Sequence, residues 1–188
     1  LGVLIAFFPI QKGTAQTLSE GFAAKVEGDF VTAFFIWSKL ESEGNFEAKI
    51  QLAEAYHFGL GVTQNPEKAF TLFLQAAQKQ PYFGFNVGVA FEQGIGIYKD
   101  YKKAAKWYEI ASSSNPYAQC NLGGMYASGR GVIKDPLKAH MWANIASSAL
   151  PDDGCKLRDY LEQSLTPNQL DQSLKLARNC VEKEYKDC

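Results

Sequence analysis

Two histidines and four cysteines are the residues of this 188-residue chain best suited to metal or nucleophilic chemistry, and the histidine spacing supports neither. His57 and His140 lie far apart and match no ligand spacing, and the CxxC and HExxH patterns are both absent. No serine is followed three residues later by lysine, the arrangement of a serine nucleophile with a lysine base. Gly-x-Gly occurs, but it lacks the third glycine of a phosphate loop and follows a helical pattern where such a loop would follow a strand. The chain therefore reads as non-enzymatic, with no catalytic residue, no metal site and no cofactor.

The glycine pairs carry a different message. Gly59-Leu60-Gly61 returns as Gly94-Ile95-Gly96 and again as Gly129-Arg130-Gly131, a period of 35 residues. The surrounding columns recur with it: Leu52, Val87 and Leu122; Tyr56, Phe91 and Tyr126; Lys68-Ala69, Lys103-Ala104 and Lys138-Ala139. Such a period with helical spacing inside it reads as a helical solenoid. In the third unit Ala118, Leu122, Gly123 and Tyr126 form the apolar face of a first helix, which Gly129 and Gly131 end. Asp135 then offers an N-cap oxygen, with Pro136 at the first helical position, and the second helix buries Ala139, Trp142 and Ala146.

The pattern A-x-x-x-L-G-x-x-Y-x-x-G-x-G-V-x-x-D-P-x-K-A-x-x-W-x-x-x-A is met by Ala118, Leu122, Gly123, Tyr126, Gly129, Gly131, Val132, Asp135, Pro136, Lys138, Ala139, Trp142 and Ala146. It resembles the Sel1-like repeat, a relative of the tetratricopeptide repeat. The first unit departs with Ala53 for glycine and Leu72 for tryptophan, and the second with Tyr101 for proline. The resemblance implies an all-α, right-handed α-solenoid of helix-turn-helix repeats. Its expected organisation is an apolar signal-like or anchor segment at 1–16, a tetratricopeptide-like entry hairpin at 17–44, repeats at 45–79, 80–114 and 115–150, and a capping hairpin and tail at 151–188. Thr166 and Gln169 form an expected capping box at the start of the closing helix.

Some secreted cysteine-rich Sel1 proteins are similar to this chain in placing cysteines eight positions apart. Only Cys180 and Cys188 keep that separation, which makes them a candidate disulfide, two free thiols being the alternative. Cys120 and Cys155 are one period apart, at equivalent sites on neighbouring first helices. Helix axes pack roughly 8 to 10 Å apart and a disulfide wants Cα atoms within about 7 Å, so a bridge there would need local distortion. The same relatives suggest an alternative function, a secreted cysteine-rich hydrolase with β-lactam-binding activity, against which the missing serine motif counts.

A net charge of −1 and a pI near 6.2 exclude a strongly basic nucleic-acid binder. Leu1 to Ile10 is an apolar run of about signal-peptide length and too short for a span, which needs roughly 20 apolar residues. It reads as an export signal, giving a periplasmic or secreted protein. The alternatives are a segment packed on the first hairpin or a retained anchor with membrane association through residues 1–16, and a cytoplasmic location.

What remains is recognition. In a tetratricopeptide-like superhelix the first helices line the concave side, and counting from the repeat columns places there Glu47, Ile50, Glu54 and His57, then Tyr82, Phe85, Val89 and Glu92, then Tyr117, Cys120, Gly124 and Ala127. The expectation is a groove with an aromatic and aliphatic floor and an acidic end, taking a peptide or helix of a protein partner with a basic residue near Glu47, Glu54 or Glu92. The competing reading of Tyr82 and Tyr117 is that they close seams between hairpins. Phe34, Phe35 and Trp37 cannot all face one core stripe, so at least one is exposed or covered by residues 1–10.

Overall fold

Eight helix starts carry a side chain that accepts from the backbone N–H two or three residues on, satisfying donors the helix leaves orphaned. They are Thr17, Asp29, Asn45, Asn65, Asp100, Asn115, Asp135 and Thr166. The backbone N–H of Lys103 holds the Asp100 carboxyl below its usual range, and Thr32 does the same for Asp29. The capping box at Thr166 and Gln169 is present, as is one at Thr17 and Glu20.

The computed structural model describes residues 17–150, 155–186 and 188; the expected signal or anchor segment at 1–16 lies outside them. The order is α1 (Leu18–Glu27), α2 (Phe30–Ser42), α3 (Phe46–Phe58), α4 (Pro66–Lys79), a 3-10 turn (Pro81–Phe83), α5 (Gly84–Gln93), α6 (Tyr101–Ala111), α7 (Pro116–Ser128), α8 (Pro136–Ser147), α9 (Leu157–Glu162) and α10 (Pro167–Glu182). Successive helix pairs with no strand among the described residues make this an α-solenoid. It falls into two units, divided between Gln64 and Asn65. That division lies inside the repeat expected at 45–79, because α3 packs on α2 in one unit and α4 packs on α5 in the other.

In the first unit α1 and α3 both pack on α2 around Trp37, Ile36, Ala33 and Leu40. A Cβ at Gly21 would overlap the Trp37 indole, so that glycine makes the room the ring fills. The crowded aromatics divide as chain geometry requires: Trp37 is buried, Phe34 meets Tyr56 edge-on at 5.4 Å, and Phe35 is 63% exposed.

The second unit runs from α4 to α10, each helix packed on the next as far as α8, with α9 and α10 both against α8. Alanines at 104, 111, 118, 139 and 146 have no exposed surface, which lets the backbones approach. Trp142 is buried as expected, but one repeat earlier the core is filled by Tyr108 while Trp107 is only half-buried. The Tyr108 ring lies where a Cβ on Gly88 would stand, so the small residue on α5 and the large one on α6 are a matched pair.

Cys120 and Cys155 are bridged with Cα atoms 5.9 Å apart, which corrects the expected obstacle. Cys155 does not sit on a first helix: it lies in the turn before α9, off any helix axis, and α7 runs unbroken through Cys120. Cys180 and Cys188 are also bridged, at 5.4 Å between Cα atoms. Left-handed φ angles at Glu184 and Tyr185, 52° and 64°, turn the tail back, stacking Tyr185 on Trp142 at 6.5 Å and setting the Cys188 carbonyl to accept from Lys138 Nζ.

Candidate functional site

The first helices α5 and α7 of consecutive repeats lie side by side in the second unit, and their facing residues are aromatic. Phe85 sits 6.1 Å from Tyr108 and 6.0 Å from Tyr117, ring centre to ring centre. Tyr117 stays 48% exposed, and Tyr82, edge-on to Phe83 at 5.4 Å, stays 44% exposed. Asn115 fixes the turn beneath: its Oδ1 accepts from Tyr117 N and Ala118 N, while its Nδ2 donates to the Tyr82 carbonyl at 3.1 Å. Val89 is half-buried one turn after Phe85 on α5, and Gly124 leaves open space on α7. Tyr82 and Tyr117 thus do both things the pattern allowed, closing a seam while presenting ring faces to solvent.

Glu92 already has partners within the chain. Its carboxylate accepts from the Tyr108 hydroxyl at 2.7 Å and lies 3.3 Å from Arg130 Nη2. Burial, and then the hydrogen bond to Glu92, push the Tyr108 phenol far above its ordinary range, so it is a neutral donor at all working pH. Arg130, the variable residue inside Gly129-Arg130-Gly131, reaches Glu92 from the next repeat, and Tyr108 reaches it from the other helix of the same repeat, so the periodicity marks neither.

The first-unit candidates divide differently. Ile50 is 4% exposed and belongs to the core, which removes it from any open floor. The α3 periodicity does not show this, because apolar or small residues occupy nearly the whole circumference of that helix. Glu54 is 3.0 Å from Lys25 Nζ, which also donates to Gln51 at 2.9 Å and lies over the Trp37 ring at 5.7 Å, so this carboxylate too is neutralised at home. His57 is half-buried with its ring edge-on to Phe58, and Glu47 stands exposed. Cys120, counted to the floor in the third repeat, is consumed by its disulfide.

The junction of the third repeat with the closing hairpin holds an arrangement with hydrolase-like connectivity. His140 Nδ1 is 2.7 Å from Ser173 Oγ, and its Nε2 faces the Glu162 carboxylate at 3.5 Å. Ser173 and His140 are 0% and 1% exposed, so no substrate reaches the hydroxyl, and the group ties α8 to α9 and α10. Replacing Ser173 with alanine leaves a buried ring nitrogen unpaired and is expected to lower stability by about 1–3 kcal/mol in a denaturant titration. Among the described residues no group of three or more His, Cys, Asp or Glu is placed to hold a metal.

The Sel1 repeat model matches residues 46–81, 85–115 and 116–149, more than half of the chain. The chain belongs to the Sel1 repeat family. Among solved structures it is similar to a protective antigen present in uropathogenic Escherichia coli strains that displays an SLR fold, with 32% identity and a TM-score of 0.71 over 81% of this chain and 34% of that one. A Sel1 repeat protein from Oxalobacter formigenes is 26% identical with a TM-score of 0.67, over 73% of this chain and 58% of the other. The chain therefore spans about a third of the first relative's length and less than two thirds of the second's. No curated protein matches it. Sel1 repeats generally mediate protein–protein interaction and are typically non-catalytic scaffolds.

Proposed function

We propose that this Sel1 protein is an adaptor of the cell envelope that binds a partner peptide or helix on the aromatic shelf of its second unit. The carrying observation is the exposure of Tyr82 and Tyr117, 44% and 48%, beside a half-buried Phe85 where α5 and α7 meet. Tyrosine rings held this way offer large contact area at low entropic cost, and an apolar or aromatic side chain of the partner fills the space between them. The partner needs no basic residue opposite Glu54 or Glu92, since Lys25 and Arg130 already neutralise them. An oxidising compartment is supported by the pairing of all four cysteines. A location in the periplasm or outside the cell agrees with it.

Affinity capture from native envelope and soluble fractions tests the reading, with wild type beside a Tyr82→Ser, Tyr117→Ser variant. Both side chains keep nearly half their surface in solvent, so the variant is expected to stay folded with a small drop in melting temperature, while a partner identified by mass spectrometry loses affinity, roughly 30-fold per anchoring ring. A partner retained in full by the variant would remove the shelf from the binding site.

A further inference from the structure

We infer that the loop edge of the second unit is a docking surface for an anionic lipid bilayer. Tyr98 and Ile133 are 93% and 91% exposed, among the most exposed large apolar residues described. They are one period apart, each two residues beyond the second glycine of its loop, so the solenoid sets them on neighbouring tips. Tyr101 connects the two loops, with Lys99 Nζ over its ring at 5.8 Å and the Arg130 guanidinium at 5.5 Å. Lys102 lies beside the Ile133 tip on one side and Lys134 on the other, in two shallow depressions that share Val132 and Ile133.

Charge selects the partner's sign. Residues 98–138 carry seven Lys or Arg against three Asp or Glu; Arg130 answers Glu92 outside that span, which still leaves an excess of three in a chain whose net charge is −1. Two of the three carboxylates, Asp100 and Asp135, are engaged as helix caps. Lys99, Lys102 and Lys134 have no carboxylate at ion-pair distance among the described residues. The chain as a whole conceals this surface, because the compensating acids lie elsewhere in the sequence.

Shape selects the bilayer over an acidic peptide. A peptide seats its apolar residues in a concavity of the receptor, whereas here the apolar residues are the protrusions. Protruding side chains gain contact only by entering something deformable. Tyrosine suits the headgroup level, isoleucine the acyl boundary below it, and lysine stems reach back toward the phosphates. The surface differs from the Tyr82–Tyr117 shelf in residues and in chemistry, so it stands or falls apart from the adaptor reading.

Vesicle co-flotation of the full chain tests this, using phosphatidylcholine vesicles with and without phosphatidylglycerol. Binding is expected only with the anionic lipid, declining as salt rises. A Lys102→Gln, Lys134→Gln variant is expected to bind about 30-fold more weakly, near fivefold per lysine, and a Tyr98→Ser, Ile133→Ser variant roughly tenfold more weakly. All four side chains lie on the surface, so circular dichroism and melting should match wild type. Absent binding to the anionic vesicles overturns the proposal. Binding that both variants retain in full also overturns it, by placing the contact elsewhere in the chain. So does a soluble polyglutamate that binds the chain and depends on Tyr98 and Ile133, which would make the surface a peptide site.

Discussion

Replacing Gly131 with alanine is expected to destabilise the protein by about 4 kcal/mol, at the upper end of single-residue effects, and to lower its melting temperature by roughly 10 °C. Gly131 has a φ of 74°, which a side chain tolerates poorly. Steric overlap adds to this. A Cβ there would run into the carbonyl of Tyr101 and stand 2.9 Å from the Lys102 nitrogen, backbone atoms of the first turn of α6 that cannot swing aside as a side-chain tip could. Relieving the overlap means lifting the loop off α6 and so loosening the α6–α7 packing. Gly124→Ala is the control: it lies inside α7 with nothing within 4 Å of its added Cβ, so it is expected to stabilise by about 0.5–1 kcal/mol. Melting curves of the two variants decide the matter, and a Gly131→Ala protein that melts with wild type would mean the loop is not seated on α6.

Loss of the Cys120–Cys155 bridge is expected to cost about 3–4 kcal/mol on the chain-entropy estimate for a loop of this length. The native consequence is local. The six residues of α9 are too few for an independent helix, and no side chain caps its start. It is held by Cys155 before its first turn, by burial of Leu161 and by the approach of Glu162 to His140. A Cys120→Ser, Cys155→Ser variant should therefore lose amide-exchange protection in α9 before any other helix of the second unit. Cys180→Ser, Cys188→Ser opens a much shorter loop and should cost less, about 2.5 kcal/mol, while freeing the tail residues that stack Tyr185 on Trp142. Denaturant titrations of both variants should rank them in that order; the reverse order would show that the tail, and not α9, secures the end of the array.

How far the repeat pattern carries is clearest in its two glycines. The first of each pair, Gly59, Gly94 and Gly129, is a left-handed helix end, a local need that the pattern of a helix followed by glycine states outright. The second, Gly61, Gly96 and Gly131, shares the left-handed φ and adds a reason no local rule contains. Each lies against the backbone that opens an earlier helix: Phe30 for Gly61, Pro66 for Gly96 and Tyr101 for Gly131. Periodicity marks such positions as invariant within the chain without saying what touches them.

The candidate site divides along the same line. The α5–α7 face was legible because residues 35 apart recur on one side of a repeat array: Tyr82 and Tyr117 are such a pair, and Phe85, three residues after Tyr82, meets Tyr117 there. What the pattern does not carry is the set of partners supplied by other helices. Ile50 is buried although its column in the next repeat is half-exposed, and Glu54 and Glu92 carry their own cations. The disulfide obstacle failed similarly, since equal spacing implied equal helices and Cys155 sits in a turn. The basic loop edge was invisible in a net charge of −1, because charge summed over a chain carries no direction.

The sequence by itself determined the repeat, the helix starts and ends, and the absence of metal-binding and nucleophile motifs, since these depend on residues within one helical turn or on a fixed period. Tertiary structure decided which aromatic fills each core, which carboxylates are free, which cysteines join and which lysines face one way. Those outcomes depend on distances between residues remote in sequence, and a pattern written along the chain carries no such distances until the backbone is packed.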